Sequence, residues 1–425
     1  RAAHLLLSGI AGGAIGGAHF ARSAGADQAI VLDMGGTSCD VCLIVDGEPL
    51  YSSDYEIEFG LPVSVPSVST RTIGAGGGSI GWVDPGGFLQ VGLQSAGAVP
   101  GPACYGQGGE EATITDANVA LGRLDPSFFL GGRIQLDTEL SKQAVGALAA
   151  KLEMSDVETA SAMLRITNEN MANAIRIVTV EEGIDPRQLA LVALGGAGPT
   201  HAAEIADSLA MRRVLVPPSP GLGSAFGALA ATVRVDAVRS VYLTDAGATA
   251  GELDAMFSEL EEQAQTEFAH QGSDTNPEVR RSIAMRYQGQ NYEQEVAVPA
   301  GSIDEDALAA IYVDYGRFYE EFYGYRLDGI PIELVQLSVI VSGAPPELAG
   351  ELLAASGDSS EAGTRDVFFP EHGFVETSIR RREGLSPTEQ LSGPIVVESM
   401  DSTIVVPPAW QLERLPSGIL NLTKP

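Results

Sequence analysis

Apolar residues 29–32 run into an acid at Asp33, and a second apolar run, 41–45, leaves beyond Asp40; Gly35, Gly36, Thr37 and Ser38 lie between. Two short runs across four small residues predict a β-hairpin. Residues 189–194 are uninterruptedly apolar, as in a strand covered on both faces, and Gly195-Gly196-Ala197-Gly198-Pro199 turns into a helix from Thr200. From Asp137 the period lengthens: Val157, Ala160, Leu164, Met171, Ile175 and Val178 fall mostly at three- and four-residue steps, one buried stripe on a long helix that ends before Asp185-Pro186. Residues 5–14 read as the end of a buried element, leading into a small-residue helix that presses against a sheet as far as Arg22. Residues 214–216 are a further strand, and 220–228 lead into another close-packed helix.

Around Asp236 the character changes. Helices over 251–270 and about 304–323 flank a hairpin at 282–296, and a strand follows at 333–341. Residues 344–365, small and acidic with prolines, read as a linker. The remainder is short strands at 367–369, 395–397 and 403–406, with Pro394 opening one and Ser402 and Thr403 at the surface start of another. The expected organisation is an α/β domain over 1–235, an α+β region over 236–343 and a C-terminal β region over 366–425.

The chain has 425 residues, 44% of them hydrophobic, and 50 glycines, which fits a large turn-rich α/β protein. No apolar run is long enough to span a membrane, and no signal peptide is evident. The net charge of −31, with lysine only at Lys142, Lys151 and Lys424, repels nucleic acid and anionic membrane and excludes both as partners. A salt-loving source and an ordinary acidic cytoplasmic protein both fit that charge. The three cysteines, Cys39, Cys42 and Cys104, have neither zinc nor disulfide spacing, and Cys39 and Cys42 on one strand point to opposite faces.

Chemistry concentrates at the glycines. Successive backbone N–H groups at Gly35 and Gly36, with hydroxyls at Thr37 and Ser38, can wrap a phosphate; a plain turn is the alternative. Asp33 can hold a hydrated Mg²⁺, which takes a carboxylate with waters and phosphate oxygens. Asp40 can orient the Thr37 hydroxyl or a water, or simply shape the turn. Gly195, Gly196 and Gly198 precede a helix, the layout that puts a ligand at a helix N-terminus. Gly76-Gly77-Gly78 form either a loop of close backbone approach or a hinge, within a glycine-proline stretch over 74–109. Thr115 or Asp116 caps the next helix, and Asp84, in Asp-Pro-Gly-Gly, forms a turn. His201 and Glu204 share a helical face but are too few for zinc, and Cys104 reads as a buried thiol.

The hairpin from Asp33 to Val41 resembles the second phosphate-binding hairpin of the hydantoinase A / 5-oxoprolinase / acetone carboxylase β-subunit family, whose fold is similar to that of actin, sugar kinases and heat-shock ATPases. The glycine-proline loops, Arg286-Tyr287-Gln288-Gly289-Gln290 and the Ser402-Thr403 strand also resemble the family. So does Ser8-Gly9-Ile10-Ala11-Gly12-Gly13, where Ile10 replaces a usual proline. Histidines common in the family are replaced by Gly316 and Tyr319, so no histidine role carries over. The resemblance implies an actin-like (ribonuclease H-like) ATPase lobe, ATP and Mg²⁺ as cofactors, and Gly195, Gly196 and Gly198 at the adenosine. Asp33 and Asp40 become the candidate catalytic carboxylates, with Asp33 also on the metal side. The implied reaction is phosphorylation of a carbonyl oxygen in a cyclic amide of the hydantoin or 5-oxoproline kind, with a B-type partner subunit. Ketone carboxylation and a non-catalytic assembly subunit are the alternatives. The family's first phosphate hairpin is not in this sequence and is expected upstream of Arg1, so the chain is expected to be a fragment of a longer protein.

Overall fold

The computed structural model describes residues 8–52, 55–57, 61–63, 67–271, 276–344, 346 and 361–425. The chain divides into two compact units, Arg1–Ala230 with Leu348–Pro425, and Ala231–Glu347.

The first unit is built on a mixed sheet. A small-residue helix, α1 (Ser8–Ser23), is followed by β1 (Ala29–Met34) and β2 (Cys39–Val45), which pair antiparallel as the apolar pattern predicts. The three helices α2 (Ile114–Ala120), α3 (Thr138–Leu152) and α4 (Asp156–Glu181) precede β3 (Ala190–Leu194), which runs parallel to β1. Then come α5 (Gly198–Ser208), β4 (Arg213–Val216), parallel to β3, and α6 (Gly223–Ala230). The predicted stripe lies on α4, where Ala160, Leu164, Met171 and Ile175 are buried.

Alternation along the strands sorts the two layers. Ile30, Leu32 and Val41 face a core shared with α2, α3, α4 and α5. Val31, Cys42 and Ile44 face α1. Cys39 therefore belongs to the first core and Cys42 to the second. On that second face α1 and α6 cross backbone to backbone: a Cβ on Gly227 would stand 1.7 Å from the Gly12 carbonyl oxygen. Only glycine allows that approach.

Residues 366–425 are not a region apart. β5 (Gln411–Arg414) and β6 (Leu420–Thr423) extend the main sheet, β6 pairing antiparallel with β4. Strands Glu361–Phe369, Gly373–Arg381, Ile395–Glu398 and Thr403–Val406 form a second sheet of the same unit. Of the expected linker, 345 and 347–360 lie outside the described residues, and 361–365 begin a strand. Of the expected opening element, residues 5–7 also lie outside them.

The second unit is α+β. Strands Arg234–Thr244, Ile332–Ser342, Glu278–Tyr287 and Gln294–Val298 form an antiparallel sheet in that spatial order. Helices Ala250–His270 and Glu305–Tyr323 bury Phe257, Leu260, Ile311 and Tyr315 with Ile283, Leu337 and Val339.

Candidate functional site

The β1–β2 tip closes where the Gly35 N–H donates to the Ser38 carbonyl at 3.0 Å. The triple-glycine loop lies directly on it: Gly77 N–H donates to the Gly35 carbonyl at 3.0 Å, and Gly78 N–H to that of Gly36 at 2.7 Å. A Cβ on Gly76 would fall 2.5 Å from the Thr37 nitrogen, so bare backbone is required and the loop is one of close approach. The carbonyls of Gly35, Gly36 and Ser38 are thus occupied. Among the described residues the N–H groups of Gly36, Thr37 and Ser38 have no protein acceptor, and Gly36 and Thr37 are exposed. Such a row of free donors favours an anion.

Asp33 and Asp40 stand opposite each other across the hairpin, on the face that carries α1 and α6. Asp33 Oδ2 accepts from Ser224 Oγ at 2.9 Å, and Asp40 Oδ1 accepts from Thr72 Oγ1 at 2.5 Å. The hydroxyl that Asp40 engages is therefore Thr72, not Thr37. Burial raises the pKa of Asp33; the Ser224 bond offsets part of this, and the charge of Asp40 adds to it. Burial likewise raises Asp40, against the Thr72 bond. Neither acid pairs with lysine or arginine among the described residues. Two half-desolvated carboxylates side by side fit a hydrated divalent cation, which relieves their repulsion. No cluster of three or more metal-binding side chains exists among the described residues, so waters and ligand oxygens would complete the shell.

Gly195 has φ +76°, and a Cβ there would meet the Met34 carbonyl oxygen at 2.1 Å and Asp33 Oδ1 at 2.7 Å. The turn delivers α5 with Ala197 at its N-cap and no side-chain cap. Ala197 and Thr200 N–H donate to the Met34 and Ala197 carbonyls and Pro199 has no N–H, so among the described residues Gly198 N–H is the open donor of this first turn. A cleft of about 190 Å³ lies between this N-terminus and the hairpin tip. One water needs roughly 10–15 Å³, so a small organic molecule fits. Gly36, Gly78, Ala197 and Thr200 line it, together with Tyr105 and Phe128. Of the residues expected at a nucleotide, Gly35, Gly36 and Gly196 line the cleft; Thr37, Ser38, Gly195, Gly198, Asp33 and Asp40 do not.

A third wall was not foreseen. Ser399, Asp401, Ser402 and Thr403 also line the cleft, and Thr200 Oγ1 donates to the Thr403 carbonyl at 2.7 Å. Asp401 accepts from Ser399 Oγ at 2.8 Å and from Gly221 N–H at 2.9 Å. Ser402 is 7% exposed, so the surface reading of this strand start fails. This wall depends on the bond from Thr200 to Thr403, 203 positions apart, which no local pattern signals.

His201 and Glu204 serve a buried network, not a metal. His201 is 0% exposed; Nδ1 meets Asn168 Oδ1 at 2.8 Å and Nε2 meets Asn118 Nδ2 at 3.3 Å. Burial, helped by the Arg123 charge, pushes its pKa down to about 4. Glu204 takes both Nη atoms of Arg123, which is 1% exposed, and Asn168 Nδ2 at 2.8 Å. The other candidates are structural. Thr113 caps α2 in a capping box whose second member is Asp116, so neither Thr115 nor Asp116 is the cap. Asp116 also accepts from Cys104 N–H and Ser141 Oγ. Asp84 closes its turn on Gly86 and Phe88 N–H. Cys104 is fully buried, and burial beside Asp116 raises its pKa strongly.

The family described as Hydantoinase/oxoprolinase matches residues 1–237, and the Hydantoinase/oxoprolinase C-terminal domain matches 243–415. The caprolactamase subunit alpha of Pseudomonas jessenii is 33% identical over 100% of this chain and 62% of its own length. The acetone carboxylase beta subunit of Xanthobacter autotrophicus is 30% identical over 96% of this chain and 59% of its own. Among solved structures, the ATP-dependent caprolactamase from Pseudomonas jessenii superposes with a TM-score of 0.84 at 32% identity, covering 97% of this chain and 61% of that one. Nucleotide-free acetone carboxylase gives 0.76 at 26%, with the same coverage. The chain thus spans about 60% of the length of these relatives. With more than half of its residues under the first match and most of the rest under the second, the chain belongs to the hydantoinase/oxoprolinase family.

Proposed function

We propose that the first unit is an actin-like ATPase lobe, and that the protein uses ATP and Mg²⁺ to phosphorylate the carbonyl oxygen of a cyclic amide and so prepare the ring for hydrolysis. The observation that carries this reading is the free N–H row at Gly36, Thr37 and Ser38 on the hairpin tip, whose Gly36 lines one cleft together with Gly196, Ala197 and Thr200 at the start of α5. Such a donor row suits negative charge, and the acid pair lies on the same hairpin. The N–H groups of Gly36, Thr37 and Ser38 hold phosphate oxygens over the turn that Gly35 closes, and Asp33, backed by Asp40, holds the cation through its waters. Gly195, Gly196 and Gly198 keep α5 close enough to bind the adenosine. ATP, when bound, supplies a phosphoryl group that turns a poor electrophile into a good one. The chain's own task is then to orient and to neutralise charge. The similarity to caprolactamase favours the amide over the ketone. Relatives named as alpha, beta and gamma subunits favour a second, B-type subunit.

The test is ADP release by the full-length protein with its partner, in the presence of caprolactam, hydantoin, 5-oxoproline or acetone. Stimulation by a lactam or imide, lost at least 100-fold in Asp33→Asn, is the expected result. Stimulation by acetone alone assigns the ketone reaction instead. Absence of nucleotide binding refutes the proposal.

A further inference from the structure

The polar chain behind the cleft has a fixed direction, and it ends on an atom with no partner. Glu204 can only accept, so Asn168 must turn its Nδ2 towards it, at 2.8 Å. Asn168 Oδ1 then faces His201 Nδ1 at 2.8 Å, which places the imidazole proton on Nδ1. His201 Nε2 is left as an acceptor and takes Asn118 Nδ2 at 3.3 Å. The same Nδ2 donates to the Ile114 carbonyl at 3.0 Å. Both donor positions of the Asn118 amide are therefore committed, and the amide cannot flip without setting two acceptors against each other. Asn118 Oδ1 remains. It has no partner in the protein, the residue is 4% exposed, and Asn118 lines the cleft beside Thr200 and His201. A buried acceptor without a donor is costly, and that cost is relieved when a ligand supplies an N–H.

We propose that Asn118 is a specificity-determining residue that accepts a hydrogen bond from the exocyclic amino group of an adenine base, with Arg123, Glu204, Asn168 and His201 fixing its orientation. The inference rests on the reading of this cleft as the adenosine site. The rest of the cleft suits a planar base: Tyr105, Phe128 and Phe129 offer ring surfaces. A base carrying a carbonyl in place of the amine sets oxygen against oxygen and is rejected.

The experiment is calorimetric binding of ATP and of inosine triphosphate, with Mg²⁺, to the full-length protein and to Asn118→Ala. The wild-type protein is expected to bind ATP at least tenfold more tightly than inosine triphosphate, and Asn118→Ala to bring the two within about threefold, since each lost hydrogen bond of this kind changes affinity by about tenfold or more. The wild-type comparison needs no variant and stands even if Asn118→Ala fails to fold. Equal affinity for both nucleotides in the wild type, or an unchanged ratio in Asn118→Ala, overturns the role of Asn118 and leaves the nucleotide site standing. Binding of neither removes the adenosine reading and this inference with it.

Discussion

Titrating His201 tests the buried network directly. In the folded chain its pKa lies at about 4, against an ordinary 6.5, because burial and the neighbouring Arg123 guanidinium disfavour the imidazolium. The unfolded chain therefore takes up the proton first. Stability is complete above pH 6.5 and falls with pH through the window from 6.5 down to about 4, below which the loss is constant. A gap of this size corresponds to about 3 kcal/mol in full, and to about 2 kcal/mol by pH 5. Both tryptophans, Trp82 and Trp410, lie in the first unit with His201, so their fluorescence follows that unit alone. The assay is urea unfolding at pH 7 and pH 5 of the wild type and of His201→Gln, which keeps polar reach but cannot be protonated. Other groups titrate in both proteins and cancel in the difference. The wild type is expected to lose about 2 kcal/mol more than the variant on acidification. Parallel losses would refute the claim that the network holds this ring neutral.

Two further outcomes follow from packing. Gly227→Ala drives a methyl group into the Gly12 carbonyl of the facing helix and is expected to cost about 2–3 kcal/mol, read as a lower urea midpoint of the same tryptophan signal; an unchanged midpoint would show that the helices part freely. Cys39, Cys42 and Cys104 are buried free thiols with raised pKa values, so Ellman's reagent at pH 8 should label none of the three in the folded chain and all three in 6 M guanidinium. Rapid labelling of the folded chain would contradict their burial.

The central layer of this fold is readable from the chain because its strands announce themselves locally. Residues 189–194 and the pair flanking Gly35 to Ser38 are apolar runs bounded by turn residues, and the stripe on α4 keeps its period over many turns. The hairpin turn was equally legible, since glycines and small hydroxyl residues between two apolar runs mark it. What escaped was whatever depends on distant partners. Ser402 reads as a surface residue until the turn that holds it closes over Thr200, and Asp40 finds Thr72 through a strand 32 residues on. Asn118 sits in an unremarkable helical stretch, and only its three-dimensional neighbours give it direction.

Placing β6 beside β4 has a consequence for how the molecule is made on the ribosome. Some 200 residues separate those neighbours, and residues 231–347 intervene as a compact unit of their own. Until residue 423 is released, one flank of the nascent sheet lacks its permanent neighbour and offers a bare ladder of amides and carbonyls to any other growing polypeptide. Translation speed and chaperone capture over residues 411–423 should therefore govern the yield of soluble protein more strongly than the same interventions applied over residues 231–347.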